Sequence, residues 1–242
     1  MVVDKYHFRL MYATDFKKTV DYYARTLEEK VLIAFENVSE EANQVEQRTF
    51  ERLGQSVDPE WYDPADYVEA ARDAAIDFYI MVDGIKRGLL NLFSAGLYHL
   101  FEQWFFKFHR RELLYLGEDG KPNLINWKEA KDRLRDNYGI DVESFSSTGK
   151  INELRLVANT VKHADGSSCS ELKKIRPDLF VQPDLKGDRP DIGFVTIREV
   201  FTPLAGEDVY IGIEDFKKYV EAVKEFWDEL AAAFDKFEYP KT

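Results

Sequence analysis

The 242-residue chain has little cysteine, no long apolar run and a deficit of basic charge. Its single cysteine, Cys169, cannot form an intrachain disulfide, and it excludes zinc and iron–sulfur sites built from several thiolates. The most apolar stretch, residues 88–101, is flanked by charges and is shorter than the roughly 18 residues that a membrane span requires. These absences favour a cytoplasmic protein without a membrane partner.

Acidic residues outnumber basic ones, 45 to 33, which gives a formal net charge of −12. Binding along duplex DNA depends on cationic side chains that replace the counterions condensed on the phosphates. The charge balance therefore argues against general duplex-DNA binding. It remains compatible with a local RNA site, because charges farther away than about 8 Å are largely screened.

The chain also lacks the short motifs of the common enzyme classes. It contains no dinucleotide-binding glycine pattern, no phosphate-binding P-loop, no serine-hydrolase elbow and no zinc-protease helix motif. Its histidines are too scattered for a zinc signature: His7, His99, His109 and His163. The sequence thus predicts neither a metal site nor a cofactor.

The residues that are present predict a mainly all-α fold. Apolar residues make up 45% of the chain and recur mostly at helical spacing. Two long N-terminal helices are expected, one over about 16–53 and one from Pro64 to about residue 114. Asp63 is a suitable N-cap for the second helix, with proline at its first position. This helix is expected to bend near Gly84 and Gly88.

Boundary signals predict further helices. Asn126 and Gly139 enclose a third helix, and a fourth runs over about 149–164. Ser168 and Glu171 form a capping-box pattern before a short helix that Pro177 ends. The runs GFVTIREVF and VYIGI predict a small β-hairpin, followed by a last helix over about 214–237.

A polar stripe stands out on the fourth helix, in ELRLVANTVKHADG. Arg155, Asn159 and His163 are four residues apart and therefore lie along one side of the helix, next to Lys162. An arginine that stabilises a charged phosphorus centre, an asparagine that orients an oxygen and a histidine that exchanges a proton suffice for metal-free RNA cleavage. The alternative is an ordinary solvent-facing stripe whose Lys162 and His163 complement the helix dipole.

These residues, with the preceding pair of long helices and its LYHLFEQWFF centre, resemble a HEPN domain (higher eukaryotes and prokaryotes nucleotide-binding). The resemblance covers roughly residues 16–180 and implies an up-and-down helical bundle over 1–180, with the hairpin and last helix, 181–242, packed on the same domain. The family motif is an arginine, then a polar residue, then a histidine at the end of the same helix. Asn159 and His163 match it, whereas Ala158 stands at the usual arginine position.

HEPN domains are often homodimers, and many are metal-independent endoribonucleases of toxin–antitoxin or phage-defence systems. The resemblance implies that His163 is the acid/base, Asn159 the orienting group and Arg155 the charge stabiliser. Because Arg155 and His163 are about 12 Å apart along the helix, an active site requires each arginine to meet the histidine of a second protomer. The alternative is a catalytically inactive HEPN-like module that binds RNA, a nucleotide, or a protein such as an antitoxin or another defence component.

Glu102 is a further candidate, because it is a carboxylate inside the apolar run HLFEQWFF. Burying a carboxylate is costly unless it is paired. We expect it to meet and orient Arg155 or His163 on the neighbouring helix. The alternative is that Glu102 marks the solvent-exposed edge of the second helix.

Five residues are candidates for contact with RNA or an anion, and one of them is Lys162 in the polar stripe. Arg110 and Arg111 follow the aromatic residues of WFFKFHRR, which either stack on single-stranded RNA or pack in the core before a basic helix end. Ser167 and Ser168 begin a helix whose free amides can bind an anion. Cys169 next to them is a candidate nucleophile or, alternatively, a small helix-start residue.

Overall fold

A computed structural model describes residues 3–56, 64–115, 117–118, 121–183, 200–204 and 208–238. Over this part of the chain the protein is mostly helical and has no β-strand, so the predicted all-α class is confirmed. None of the helices in these ranges combines the length and the apolar character needed to cross a membrane.

The described residues form eight α-helices. They are α1 Lys5–Phe8, α2 Asp15–Thr26, α3 Val38–Ser56, α4 Pro64–Phe108, α5 Trp127–Tyr138, α6 Thr148–His163, α7 Ser167–Ile175 and α8 Ile213–Lys236. A π-helical turn, Arg9–Thr14, joins α1 to α2, and a second, His109–Leu113, continues α4. The long second helix is thus present without interruption from Pro64, while its expected N-cap, Asp63, lies outside the described residues.

The prediction of one helix over 16–53 is wrong. After α2 the chain passes through a π turn, Leu27–Val31, and a 3₁₀ turn, Leu32–Phe35, before α3 starts. The carbonyl of Asn37 accepts the amide of Glu41 at 3.0 Å, which is the first hydrogen bond of α3. The apolar spacing continues across this break, so Asn37, a residue type that favours the start of a helix, was not recognised as the start of α3.

Other helix ends follow local signals more closely. The side chain of Asn126 accepts the amide of Glu129 at 2.9 Å, and Gly139 ends α5 with a φ of +64°, as glycine readily does. The capping box predicted at Ser168 is wrong, because α7 already begins at Ser167 after Gly166.

The predicted C-terminal hairpin is not confirmed. The run GFVTIREVF lies outside the described residues except for its last two, and residues 209–211 form no strand. Instead, the carbonyl of Val209 accepts the side-chain amide of Asn91 at 2.8 Å, and the amide of Tyr210 donates to Leu179 at 2.7 Å. These β-branched and aromatic residues are buried against helices, so their pattern reflects core packing rather than strand pairing.

An aromatic core lies where α1, α2, α4 and α8 meet. The ring of Trp227 is fully buried, with centroid distances of 5.9 Å to Phe8, 5.4 Å to Phe16 and 6.1 Å to Phe108. α8 also packs against α6, so the C-terminal helix belongs to the same core as the N-terminal helices. Burial of large rings makes this region the main source of stability.

The first half of α4 has a different environment. α3 packs mainly on it, and the buried side chains of this pair, among the described residues, are those of three alanines, Ala42, Ala71 and Ala75. None of the described residues between 38 and 89 belongs to the connected set of buried apolar side chains that forms the hydrophobic core. We call residues 38–56 and 64–89 the arm, and the rest of the described chain the body.

Candidate functional site

α6 places its polar residues outward and its apolar residues in the core. Arg155 and Asn159 are half-buried and His163 is exposed, whereas Val157 between them is fully buried. Ala158, at the usual arginine position of the HEPN motif, is only 1% exposed. A side chain at position 158 points into the core, so an arginine there would not lie on the outward face of α6. Arg155 does lie on that face.

The outward residues of α6 do not converge within one protomer. Arg155 Nε donates to Asn152 Oδ1 at 3.0 Å, and its guanidinium lies 4.0 Å from the carboxylate of Glu171. Asn159 Nδ2 donates to Ser168 Oγ at 3.3 Å, one turn farther along. His163 lies in the last turn, about 12 Å along the axis from Arg155. One phosphate cannot contact both ends of this stripe.

The turn after His163 is held in a strained conformation. Ala164 has a φ of +61° and a ψ of −145°, a region that costs a non-glycine residue on the order of 1–3 kcal/mol. Backbone bonds hold the turn in place, from the Asp165 amide to the Val200 carbonyl at 3.0 Å and from the Leu204 amide to the Val161 carbonyl at 2.8 Å. The end of α6 that carries His163 is therefore fixed by the C-terminal segment.

A cleft of about 580 Å³ opens beside Arg155, between α4, α5, α6 and α8. Its apolar floor is made mainly of aromatic rings, those of Tyr98, Phe101, Trp127 and Phe226. Its polar rim carries Lys131, Glu143, Thr148, Asn152 and Arg155. An aromatic floor with cations at its rim is suited to a ring system that bears a negative group.

Glu102 holds the aromatic floor of this cleft in place. Its Oε1 accepts the indole N–H of Trp127 at 3.0 Å and the hydroxyl of Tyr98 at 3.3 Å. Trp127 is also stacked on Phe105, with a centroid distance of 4.2 Å and an interplanar angle of 15°. The indole plane is thus fixed by a hydrogen bond and by a neighbouring ring.

The expectation that Glu102 meets Arg155 or His163 is therefore wrong for the described residues. Its hydrogen-bonding neighbours are Tyr98, Trp127 and His99, whose Nδ1 lies 3.4 Å from Oε2. The physical reason is that Glu102 follows Tyr98 by one helical turn and faces α5, whereas α6 packs beside it.

Charges around the cleft are partly paired. Lys131 forms an ion pair with Glu143 at the rim. Among the residues that the structure describes, Arg155 contacts a single carboxylate, that of the exposed Glu171, at 4.0 Å. Burial raises the pKa of the Tyr98 hydroxyl, Glu102 raises it further, and the positive charge of Arg155 opposes both effects. The Arg155 guanidinium is therefore close enough to the floor of the cleft to act on it electrostatically. Because its charge is only weakly neutralised by Glu171, it can attract an anion bound in the cleft.

The remaining candidates lie in two other places. Arg110 and Arg111 are exposed residues of the π turn after α4, whose Glu112 accepts the Tyr12 hydroxyl at 2.7 Å. Lys162 and Ser167 are exposed near the end of α6 that carries His163. The structure does not bring the two arginines together with the polar stripe of α6.

Cys169 and His109 are both buried away from the cleft. Burial and a hydrogen bond with Asp165 raise the pKa of the Cys169 thiol to about 11, which disfavours the reactive thiolate. Burial, and then the nearby Arg133, lowers the pKa of His109 to about 4. Neither of its ring nitrogens has a hydrogen-bond partner in the described part of the chain. Both residues are structural parts of the body.

Reasoning from the sequence missed Trp127, Tyr98, Lys131 and Asn152. Asn152 precedes Arg155 by one turn, so helical spacing alone could have added it to the polar stripe. Trp127 follows the cap of α5, but nothing local signals that α5 folds back over α4. The cleft depends on that packing.

Comparison with protein-family models, with curated proteins and with solved structures finds no match for this chain. The resemblance to HEPN domains therefore stays a prediction from the sequence. Within the described ranges, no group of three or more histidine, cysteine, aspartate or glutamate side chains is arranged to hold a metal ion.

Proposed function

We propose that this chain is a HEPN-like module that binds an unpaired nucleotide, free or within single-stranded RNA, in the cleft beside Arg155. One observation carries this proposal: a fixed indole plane and a weakly paired guanidinium line the same cleft. Both possible ligands, a free nucleotide and a nucleotide within single-stranded RNA, contain a nucleobase joined to a phosphate.

Each part of such a ligand has a suitable partner. A base stacked on an aromatic side chain contributes about 1–3 kcal/mol, largely independent of its identity. The guanidinium of Arg155 can bind phosphate oxygens through charge-assisted hydrogen bonds. At the rim, the Thr148 hydroxyl donates to the Val142 carbonyl and can still accept a hydrogen bond, and the side-chain N–H groups of Asn152 can donate to the base edge or the ribose.

The distribution of charge supports binding of an anion to the body despite the net charge of −12. Of the 45 acidic and 33 basic residues of the chain, twelve and three lie between residues 38 and 83. The remainder of the sequence has 33 acidic and 30 basic residues and is nearly neutral. The repulsion that disfavours nucleic acid is therefore concentrated in and around the arm.

Calorimetric titration with AMP, adenosine and a 12-nucleotide single-stranded RNA tests the proposal. Removing a charged hydrogen bond costs about 1.5–3 kcal/mol, so Arg155→Gln is expected to weaken binding of AMP at least tenfold. It is expected to leave binding of adenosine nearly unchanged, because adenosine has no phosphate. Tighter binding of the RNA than of AMP identifies a strand as the ligand, and the reverse order identifies a free nucleotide.

The matched control is Arg25→Gln, since Arg25 is an exposed helical arginine paired with Glu29 and lies outside the cleft. It is expected to leave all three affinities unchanged. Absence of binding by the wild-type protein up to millimolar AMP and RNA contradicts the proposal. An equal loss in Arg25→Gln and Arg155→Gln contradicts it as well.

Metal-independent RNA cleavage is the second candidate function, and the outward face of α6 favours it. Arg155, Asn159 and His163 lie on one outward face, and backbone hydrogen bonds hold the helix end that carries His163. A second protomer with an antiparallel α6 is required, so that each arginine lies next to the other protomer's histidine. A role in a toxin–antitoxin or phage-defence system follows only if this activity exists.

In that reaction His163 takes the proton of the ribose 2′-hydroxyl, and the 2′-oxygen attacks the adjacent phosphorus. The bond to the 5′-oxygen breaks, and the leaving oxygen takes up a proton, which leaves a 2′,3′-cyclic phosphate. Incubation of labelled RNA with a metal chelator is expected to show such ends in the wild type and in His7→Ala, but not in His163→Ala. Binding without cleavage leaves only the first proposal.

A further inference from the structure

The arm exposes four large apolar side chains on the side of α4 that faces away from α3. Ile76, Ile80, Met81 and Ile85 are each about half exposed, with Ile80 at 58% and Met81 at 54%. They form two i, i+4 pairs next to each other on the helix, whereas Ala71 and Ala75 face α3. We call these four residues the back face. Apolar patches of this kind on a protein surface mark interaction sites.

Carboxylates run through the back face. Asp73 and Asp77 are separated by one turn and lie between the two apolar pairs, since α-helical residues advance by about 100°. Neither of them takes part in an ion pair among the residues that the structure describes. Acidic residues also dominate the whole region, with twelve against three basic residues between 38 and 83.

This charge restricts the partner that can cover the back face. Nucleic acid and anionic membranes are repelled by it. A second copy of the chain brings the same acidic region and so adds repulsion at the contact. A cationic partner with an apolar stripe can bury the isoleucine and methionine side chains and form ion pairs with the two aspartates.

We propose that the back face of the arm docks a basic amphipathic helix of a partner protein. Apolar side chains of that helix pack on Ile76, Ile80, Met81 and Ile85, and its lysines or arginines pair with Asp73 and Asp77. A helix laid along an apolar face is a common mode of peptide recognition, with anchors at helical spacing. The inference is independent of the nucleotide proposal, because the cleft lies in the body.

The probe for the first test is a synthetic 18-residue amphipathic helix of leucine and lysine, with a leucine–glutamate peptide of the same apolar pattern as its counterpart. Fluorescence anisotropy is expected to show micromolar binding of the lysine peptide and none of the glutamate peptide. Asp73→Asn with Asp77→Asn is expected to weaken binding at least fivefold, and Ile80→Ser with Met81→Ser at least tenfold. These side chains are exposed, so the variants are expected to fold normally, which circular dichroism checks.

Matched controls on the body use the same residue types. Ile175→Ser removes another half-exposed isoleucine, and Asp136→Asn removes an exposed carboxylate. Both are expected to bind the lysine peptide like the wild type. Equal weakening in the body and arm variants overturns the proposal, as does binding of both peptides. Concentration-dependent self-association that Ile80→Ser with Met81→Ser abolishes also overturns it, in favour of a second copy.

Discussion

The two halves of α4 belong to one continuous helix but have opposite surroundings. In the second half, Phe101, Phe105 and Phe108 are fully buried among aromatic rings of α1, α2 and α8. In the first half, Ile76 and Ile80 are about half exposed, and the contacts with α3 are made around alanines. The body therefore supplies most of the free energy of folding. Exposed side chains of the arm contribute little to it.

The largest test of this contrast is truncation of one ring in each region. Trp227→Ala removes a fully buried ring and is expected to lower the free energy of unfolding by about 3–5 kcal/mol. Phe50→Ala on α3 removes a ring that is 46% exposed and is expected to cost about 1 kcal/mol or less. Urea denaturation measures both. Similar losses for the two variants contradict the division into body and arm.

Acid sensitivity is the next test, and it is expected to originate in the body. The pKa of His109 is lowered from 6.5 to about 4, so the unfolded chain takes up a proton first as the pH falls. The free energy of unfolding therefore decreases between pH 6.5 and 4, by at most about 3 kcal/mol, and this contribution is fully lost below pH 4.

Denaturation of the wild type and His109→Leu at pH 7 and pH 4 measures this effect. The variant is expected to lose less stability on acidification, because its side chain cannot be protonated. If both proteins lose the same stability, the buried imidazole is not the cause of the acid sensitivity.

A smaller effect is expected where α2 meets α4. A Cβ at Gly96 would collide with the hydroxyl of Tyr23, which donates to the Phe93 carbonyl at 3.0 Å. Gly96→Ala is expected to destabilise the protein by about 1–2 kcal/mol despite the better helix propensity of alanine. Adding Tyr23→Phe removes the colliding atom and should restore part of the loss, which a double-mutant cycle in urea measures. Simple additivity of the two changes contradicts the close contact.

The sequence predicted those parts of the fold whose signals are local. α5 begins and ends at Asn126 and Gly139 because a side-chain cap and a left-handed glycine act within a few residues. The start of α3 after Asn37 was missed, since the apolar period continued through the break. Residues 209–211 were misread because β-branched residues suit a buried segment between helices as well as a strand.

The candidate site also has one part that local sequence signals predict and one part that depends on packing between helices. The polar stripe of Arg155, Asn159 and His163 follows from helical spacing, and these residues do lie on the outward side of α6. The cleft could not be predicted, because Trp127 reaches it only through packing of α5 on α4. The correct role of Glu102 depends on the same packing, since its partner is an indole 25 residues away.

The most direct test of the nucleotide proposal is a titration of the protein with AMP, followed through the indole N–H resonances of its four tryptophans. Trp127→Phe assigns the resonance that reports on the cleft. We expect AMP to shift the Trp127 signal, to leave that of the buried Trp227 unchanged, and to lose this effect in Arg155→Gln at the same concentration. An unchanged Trp127 resonance, or an equal shift in Arg155→Gln, would contradict the account.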